Sequence, residues 1–261
     1  ASPLSLKINN IQSVSHDGAL GSAGNFAVFR NVATLADGPK VSGKLVLVEK
    51  SNAEMRVEFG YARGAEVLLE GDDPGDRATF RLEFFDPTTG EPVHLNSTAT
   101  CKDSEDKSYT NEGEASRGEG DSCNSYGVSS DTSITIQTDG NSVVASGSER
   151  NGYTDQDAWF SAEFEDRSSI EFTLQTRDGL SGFTLSGDLI DDPVVTALEQ
   201  GADTVMAGEG DDIVFGQGGD DSVLGEAGND SLDGGDGDDT IRISNGDFSA
   251  GESLDGGNDN D

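Results

Sequence analysis

Glycine and aspartate recur every nine residues near the C-terminal end of the chain, a spacing that could build a metal-binding surface. From residue 207 onward, four consecutive units read AGEGDDIVF, GQGGDDSVL, GEAGNDSLD and GGDGDDTIR. The fourth position of every unit is glycine, the sixth is aspartate and the eighth is aliphatic. Glycine allows positive φ angles that turn carbonyl oxygens inward, and aspartate adds a hard anionic oxygen. The pattern therefore supplies oxygen ligands for a divalent cation.

The same period predicts how the aspartates stack. If each unit forms half of a coil, then eighteen residues bring the chain back over itself at the spacing of neighbouring strands, roughly 4.8 Å. The predicted stacks pair Asp203 with Asp221, Asp221 with Asp239, and Asp212 with Asp230. Carboxylates at that distance repel each other, and Arg242 is the only basic residue between positions 191 and 261. A cation is needed between successive coils, and an all-oxygen ligand set selects calcium over zinc or copper.

This nine-residue pattern resembles the calcium-binding repeat of RTX proteins, whose units wind into a parallel β-roll. The resemblance lies within residues 198–261, and it departs from the family pattern where Ala207, Gln217 and Glu226 replace glycine. It implies that calcium is held between turns, with about three or four ions in the visible units. The candidate metal residues are Asp203, Gly208, Gly210, Asp212, Gly219, Asp221, Gly228, Asp230, Gly235, Gly237 and Asp239. The alternative is a disordered acidic linker, which would not keep the aliphatic residues in phase.

Charge and composition limit the classes of partner. The 261 residues include 51 acidic and 16 basic side chains, which gives a net charge of -35. Nucleic acids and anionic membrane surfaces would be repelled, whereas cations would be attracted. No apolar run is long enough to cross a bilayer as a helix. Residues 191–261 carry 20 of the acidic side chains, so the charge is concentrated in the repeat region.

The first 190 residues have the two-residue period of half-buried strands. Apolar residues alternate with polar ones from Met55 to Tyr61, from Phe80 to Phe84 and from Ile170 to Leu174. Turn sequences separate these runs, which predicts about ten to twelve strands and no long helix. We therefore expect an all-β protein: an antiparallel, jelly-roll-like β-sandwich over residues 1–190, a junction over 191–197 and an RTX β-roll over 198–261. The partial unit at residues 254–261 predicts that the roll continues further.

Two cysteines are present, Cys101 and Cys123, and a polar stretch of 21 residues separates them. A disulfide between them would close a surface loop, stabilise the fold by roughly 3 kcal/mol and indicate an oxidising compartment. Two unpaired thiols are the alternative. The cysteines do not build a metal site, because His16 and His94 are isolated in the sequence.

Sequence motifs do not assign a reaction to the first 190 residues. Neither H-E-x-x-H nor G-x-S-x-G occurs. Trp159 could be a sugar-stacking platform or a core residue. The RTX resemblance implies a secreted protein, exported by a type I system and folded by extracellular calcium. We expect the sandwich to bind a glycan or a neighbouring surface, as an adhesin module would. The alternative is an extracellular polysaccharide lyase or hydrolase domain that carries the roll as a secretion and folding device.

Overall fold

A computed structural model shows that the chain is built from β-strands. It describes residues 4–35, 38, 40–60, 67–71, 73, 75–102, 107–111, 124–139, 142–146, 156–176, 179–186, 190, 191, 193–197, 201–243, 251–258 and 260. Two 3-10 helices of three residues each, Ile8–Asn10 and Gln156–Ala158, are the helical elements of these residues. Within the same ranges, no helix has the length and apolar character needed to cross a membrane.

Strands are numbered in chain order and form three sheets. Sheet 1 has eight strands in the order β1-β2-β3-β6-β13-β8-β11-β10, and all of its pairings are antiparallel. Its strands are β1 (Ile11–Ser15), β2 (Phe26–Thr34), β3 (Lys40–Lys50), β6 (Arg77–Phe85), β8 (Lys107–Asn111), β10 (Thr135–Asp139), β11 (Ser142–Ser146) and β13 (Ser169–Thr176).

Sheet 2 has ten strands in the order β21-β19-β17-β15-β9-β12-β7-β14-β5-β4. They are β4 (Arg56–Phe59), β5 (Val67–Gly71), β7 (Leu95–Lys102), β9 (Ser125–Ser129), β12 (Phe160–Arg167), β14 (Gly179–Ser186), β15 (Pro193–Ala197), β17 (Ile213–Phe215), β19 (Ser231–Asp233) and β21 (Ser253–Asp255). Sheet 3 contains β16 (Thr204–Glu209), β18 (Ser222–Ala227) and β20 (Thr240–Arg242), which pair in parallel in that order.

Sheets 1 and 2 pack face to face, and the alternating apolar residues form the core between them. Apolar residues of two predicted runs are buried: Met55, Val57 and Phe59, and Phe80, Leu82 and Phe84 of β6. The rings of Phe84 in sheet 1 and Phe164 in sheet 2 stack with centroids 5.6 Å apart. The two-residue period therefore predicted the buried face correctly, because successive side chains of a strand point to opposite sides of the sheet. The described residues before position 191 form fourteen strands, β1 to β14.

Strand β15 connects the sandwich to the repeats. It pairs antiparallel with β9 on one side and parallel with β17 on the other, so sheet 2 runs without a break from the sandwich into the roll. Sheet 3 covers this extension of sheet 2. A small separate core fills the space between them and consists of Val195, Val205, Val214, Val223 and Leu232. Residues 193–197, which the sequence places in a junction, therefore form a strand shared by both sheet systems.

Two sequence hypotheses concern single side chains of the sandwich. Trp159 is 7% exposed, so it belongs to the interior and does not present a stacking platform. Cys101 is buried in β7, whereas Cys123 lies outside the described residues. The disulfide between them stays a prediction.

Candidate metal centre

The repeats wind into coils of eighteen residues. Strand β16 pairs with β18 so that Val205 lies beside Val223, and β18 pairs with β20 so that Val223 lies beside Ile241. On the opposite side, Val214 of β17 lies beside Leu232 of β19. Each pair is separated by two nine-residue units, which confirms the register predicted from the period. The aliphatic eighth positions face each other across the roll and form its core.

Along one edge of the roll, sixth-position aspartates of successive coils form a ladder. We call it the first column: Asp203, Asp221 and Asp239. The backbone amide of Asp203 donates to Oδ1 of Asp221 at 2.8 Å, and the amide of Asp221 donates to Oδ1 of Asp239 at 2.8 Å. The three residues are at most 5% exposed. Each rung therefore orients the carboxylate of the next rung, and the column holds three buried carboxylates in line.

The opposite edge carries the second column: Asp212, Asp230 and Glu252. The amide of Asp212 donates to Oδ1 of Asp230 at 3.1 Å, and the amide of Asp230 donates to Oε2 of Glu252 at 3.3 Å. Strand β21 pairs with β19 so that Leu254 lies beside Leu232, a spacing of 22 residues. Four extra residues therefore enter the last coil. Sequence reasoning missed Glu252, although its position two residues before the aliphatic Leu254 matches the aspartate of the earlier units.

The turns between the short strands are tight because glycine occupies their crowded positions. The glycines predicted at the turns all have positive φ: Gly208, Gly210, Gly219, Gly228, Gly235 and Gly237. A Cβ atom at Gly228 would overlap the carbonyl oxygen of Gly210, eighteen residues earlier. Gln217 and Glu226, which replace glycine, keep the same left-handed conformation with φ of 76° and 68°. The corners therefore keep their shape despite the substitutions, at the cost of local strain in a non-glycine residue.

A residue of the sandwich caps the first column at Asp203, the rung nearest to the sandwich. The side chain of Asn124, which precedes β9, hydrogen-bonds the carboxylate of Asp203. Its Oδ1 accepts a hydrogen bond from the backbone amide of Glu165 in β12 at 3.0 Å. Asn124 thus supplies Asp203 with the hydrogen bond that Asp221 and Asp239 each receive from the backbone amide of the preceding rung. Sequence reasoning missed this residue, because nothing in the repeat pattern points to a partner outside it.

Burial and mutual repulsion disfavour the charged carboxylates of the first column. Burial raises the pKa of Asp203 to about 6, and the charges of Asp221 and Glu165 add to the rise while Asn124 opposes it. Burial also raises the pKa of Asp221, and the charges of Asp239 and Asp220 contribute. Arg242 is the only basic residue between positions 191 and 261, and it is exposed. A column of ionised carboxylates is therefore unfavourable unless cations compensate it.

The residues present fit a hard cation with many oxygen ligands. Oδ2 of Asp203, Oδ2 of Asp221 and Oε1 of Glu252 are buried and accept no hydrogen bond from any described residue. No cluster of three or more His, Cys, Asp or Glu side chains that could hold a metal occurs in the described ranges, so side chains alone do not complete a site. Carbonyl oxygens of the stacked glycine turns would be the remaining ligands. Calcium takes six to eight oxygen ligands in flexible geometry, which suits this mixture of carboxylates and carbonyls.

These features define a β-roll of nonapeptide repeats with an oxygen-rich interior edge. The family model of the RTX calcium-binding nonapeptide repeat matches residues 199–232 and 215–247, in four copies. Residues 199–247 therefore carry RTX repeats, which bind calcium and are typical of secreted proteins.

The remaining comparisons are with solved structures and with curated protein sequences. The chain is similar to the N-terminal domain of the Streptococcus gordonii adhesin Sgo0707, with 13% sequence identity and a TM-score of 0.46. The similarity covers 80% of this chain and 65% of that chain, so the chain spans less than two thirds of that structure. No match is found among curated protein sequences.

Proposed function

We propose that the chain is part of a secreted protein whose roll is folded by calcium outside the cell. The observation that carries the proposal is the pair of carboxylate columns, which contain five buried aspartates in a region with one basic residue. Asp203, Gly208, Gly210, Asp212, Gly219, Asp221, Gly228, Asp230, Gly235, Gly237, Asp239 and Glu252 would hold the ions. Calcium would supply the positive charge that lets neighbouring rungs approach to strand spacing.

Folding and calcium binding are then one event. A ligand that binds only the folded form stabilises it by RT ln(1 + [L]/Kd), or about 2.7 kcal/mol per site at a concentration of 100 Kd. Millimolar extracellular calcium would therefore fold a roll that calcium-poor cytosol leaves extended. Such a difference suits export through a type I secretion system, which passes an unfolded chain.

The sandwich acts, in this proposal, as an adhesin-like module that binds a glycan or a neighbouring surface. Its hydrophobic core is distinct from that of the roll. A cleft of about 360 Å³ lies where the outer face of sheet 2 meets the first coil of the roll, and it offers a place for a ligand.

Three measurements test this function on the intact chain. Circular dichroism during a calcium titration should show a gain of β-structure that chelator reverses, and elemental analysis should find bound calcium. A glycan array in millimolar calcium should then reveal binding without turnover. A roll that stays compact in excess chelator and contains no metal would refute the calcium half of the proposal. Failure to bind any glycan or host-cell surface would refute the adhesin half.

An extracellular polysaccharide lyase or hydrolase is the second candidate. Glu163 lines the cleft, and burial raises its pKa to about 7, with Ser125 opposing and Glu165 contributing to the rise. A carboxyl group that keeps its proton near neutral pH is what a general acid requires. Release of reducing or unsaturated ends by the purified chain, abolished in a Glu163→Gln variant, would favour this candidate over the binding module.

A further inference from the structure

The cleft beside the roll lies where sheet 2 extends past the edge of sheet 3. Its floor is the outer face of sheet 2, where Glu163 pairs with Ser125, and Ser125 pairs with Ala197 of β15. Residues paired in register share a face, so Glu163 lies on the same side of the sheet as Ala197 and as Val195, which belongs to the core of the roll. Sheet 3 covers this face over the roll and ends at β16. Beyond β16, the floor of the cleft is open.

Strand β16 presents an unused edge to the cleft. It is the first strand of sheet 3 and pairs with β18, and no other strand of the described residues pairs with its outer edge. Thr204, Met206 and Gly208 line the cleft, and Met206 is 55% exposed. An edge strand offers a row of amide and carbonyl groups to any extended chain that lies beside it. An added strand would continue sheet 3 over β9 and β12, as β16 itself continues over β15.

The charge of the cleft specifies the sequence of such a chain. Glu163 and Glu165 lie on the floor of the cleft, and Glu226 lies on its wall beside Gly208. No lysine, arginine or histidine is among the described lining residues. The carboxylate of Glu163 accepts a hydrogen bond from Ser125 at 2.9 Å and is set deep enough for burial to raise its pKa. Glu163 and Glu165 lie two positions apart on β12. Alternate side chains of an added strand point down, so every second residue would meet a carboxylate.

We propose that this cleft binds an extended basic segment of a partner protein as an additional strand beside β16. The backbone of the segment pairs with the edge of β16, and its alternate lysine or arginine side chains reach Glu163 and Glu165. Backbone pairing supplies affinity and the carboxylates supply specificity, which is the division of labour in recognition by strand addition. A sugar fits the cleft less well, because Phe164, the only aromatic side chain among the described lining residues, is 1% exposed and offers no stacking face.

This inference rests on the proposed function in one respect. Strand β16 belongs to the roll, and the cleft has its second wall only when the roll is folded. Ligand binding therefore depends on calcium even though Glu163 and Glu165 belong to the sandwich. The partner segment would be captured outside the cell and released when calcium is removed.

Three labelled peptides test the proposal on the intact chain, each as long as the six residues of β16. The first alternates lysine with threonine, the second has the same sequence with every second amide N-methylated, and the third has glutamate in place of lysine. Fluorescence anisotropy in millimolar calcium measures their binding, and circular dichroism of the same samples reports whether the roll is folded. N-methylation keeps the charge and removes strand pairing. We expect the first peptide to bind at least about tenfold more tightly than the second, and the third not to bind.

Matched variants locate the site. Above about pH 7, where the Glu163 carboxyl is ionised, Glu163→Gln should weaken binding of the lysine peptide about tenfold, because a buried charge-assisted contact is lost. Glu209→Gln is the control, since Glu209 lies on β16, beside the cleft-lining Gly208, but is exposed and does not itself line the cleft. It should change affinity less than about twofold, as expected for an exposed charge.

Different failures have different meanings. Equal binding of the first two peptides would show attraction by net charge alone and overturn the inference, as would a folded roll that binds none of them. Displacement of the lysine peptide by a neutral oligosaccharide would assign the cleft to a sugar instead. A circular dichroism spectrum that does not respond to calcium would count against the proposed function, and it would be seen before any peptide is added.

Discussion

Asp221→Asn should change the stability of the roll in opposite directions with and without calcium. Asp221 is the middle rung of the first column and is 2% exposed. Its Oδ1 accepts the amide of Asp203, while its Oδ2 is buried without a hydrogen-bond partner among the described residues. Asparagine keeps an oxygen that can accept the same hydrogen bond and removes the charge. The substitution therefore isolates the electrostatic role of the carboxylate from its structural role.

The size of both effects follows from the spacing of the rungs. Two unit charges about 5 Å apart repel by about 3 kcal/mol at an effective dielectric constant of 20, and Asp221 has a neighbour on each side. Removing its charge relieves this repulsion in the calcium-free protein. In the presence of calcium, the same change removes an anionic ligand. Even substitutions of residues that only support a ligand cost 10- to 100-fold in metal affinity, so we expect the calcium midpoint to rise about tenfold or more.

The assay compares the wild type, Asp221→Asn and Asp211→Asn by circular dichroism and hydrodynamic radius over a calcium titration. Asp211 is the matched control, because it is adjacent to Asp212, is exposed and accepts hydrogen bonds from Asn229. In chelator, Asp221→Asn should be as compact as the wild type or more compact. At intermediate calcium it should be the least folded of the three proteins, while Asp211→Asn should remain within about twofold of the wild-type midpoint.

Two results would refute the reasoning. If Asp221→Asn and Asp211→Asn shifted the midpoint equally, the sixth position would have no special role in holding the ion. If Asp221→Asn were less compact than the wild type in chelator, repulsion between rungs would not be what keeps the calcium-free roll open.

Four further substitutions, in three predictions, test other parts of the structure. Glu252→Gln should lower the number of bound ions measured by equilibrium dialysis and raise the calcium midpoint, because Glu252 replaces an aspartate in the second column. Gly228→Ala should abolish calcium-induced folding in circular dichroism, since its Cβ would overlap the Gly210 carbonyl, whereas Gly208→Ala meets open space and should cost only about 1–3 kcal/mol of backbone strain. Glu163 keeps a proton in the folded state up to about pH 7 that the unfolded chain releases near pH 4.5, so stability should fall as pH rises through this window. Urea unfolding at fixed free calcium should show that Glu163→Gln lacks this fall, of up to about 3 kcal/mol, and an equal pH dependence in both proteins would contradict the assignment.

Local periodicity explains which features the sequence predicts. A two-residue alternation determines which side of a strand is buried, so the burial of Val57 and Phe80 could be read directly from the sequence. A nine-residue period fixes the coil and therefore the stacking of Asp221 over Asp239. Both patterns depend only on neighbours along the chain. The departures from glycine could not be resolved in this way, and the structure shows that Gln217 adopts the conformation of the glycine it replaces.

Contacts between distant segments explain what the sequence does not predict. Asn124, the residue before β9 of the sandwich, completes the first column, and Glu252 completes the second after four inserted residues break the period. The cleft depends on the edge of β16 lying over the face that carries Glu163, which is a consequence of sheet order and not of composition. Strand order within a sheet is set by tertiary packing, and no local pattern in this chain encodes it.

The shared strand β15 gives the folding of the roll a direction. A first coil standing alone would have to order its backbone without a neighbour, whereas β15 already pairs with β9 of the sandwich. Asn124 likewise can hydrogen-bond the Asp203 carboxylate before any later rung of the column has formed. The first coil can therefore assemble on a finished template, and each later coil can use the one before it, with an ion to offset the added charge. Because repeat arrays are stabilised mainly by contacts between neighbouring repeats, the coil next to the sandwich should fold at the lowest calcium concentration. The cleft beside β16 would then be among the first parts of the roll to form.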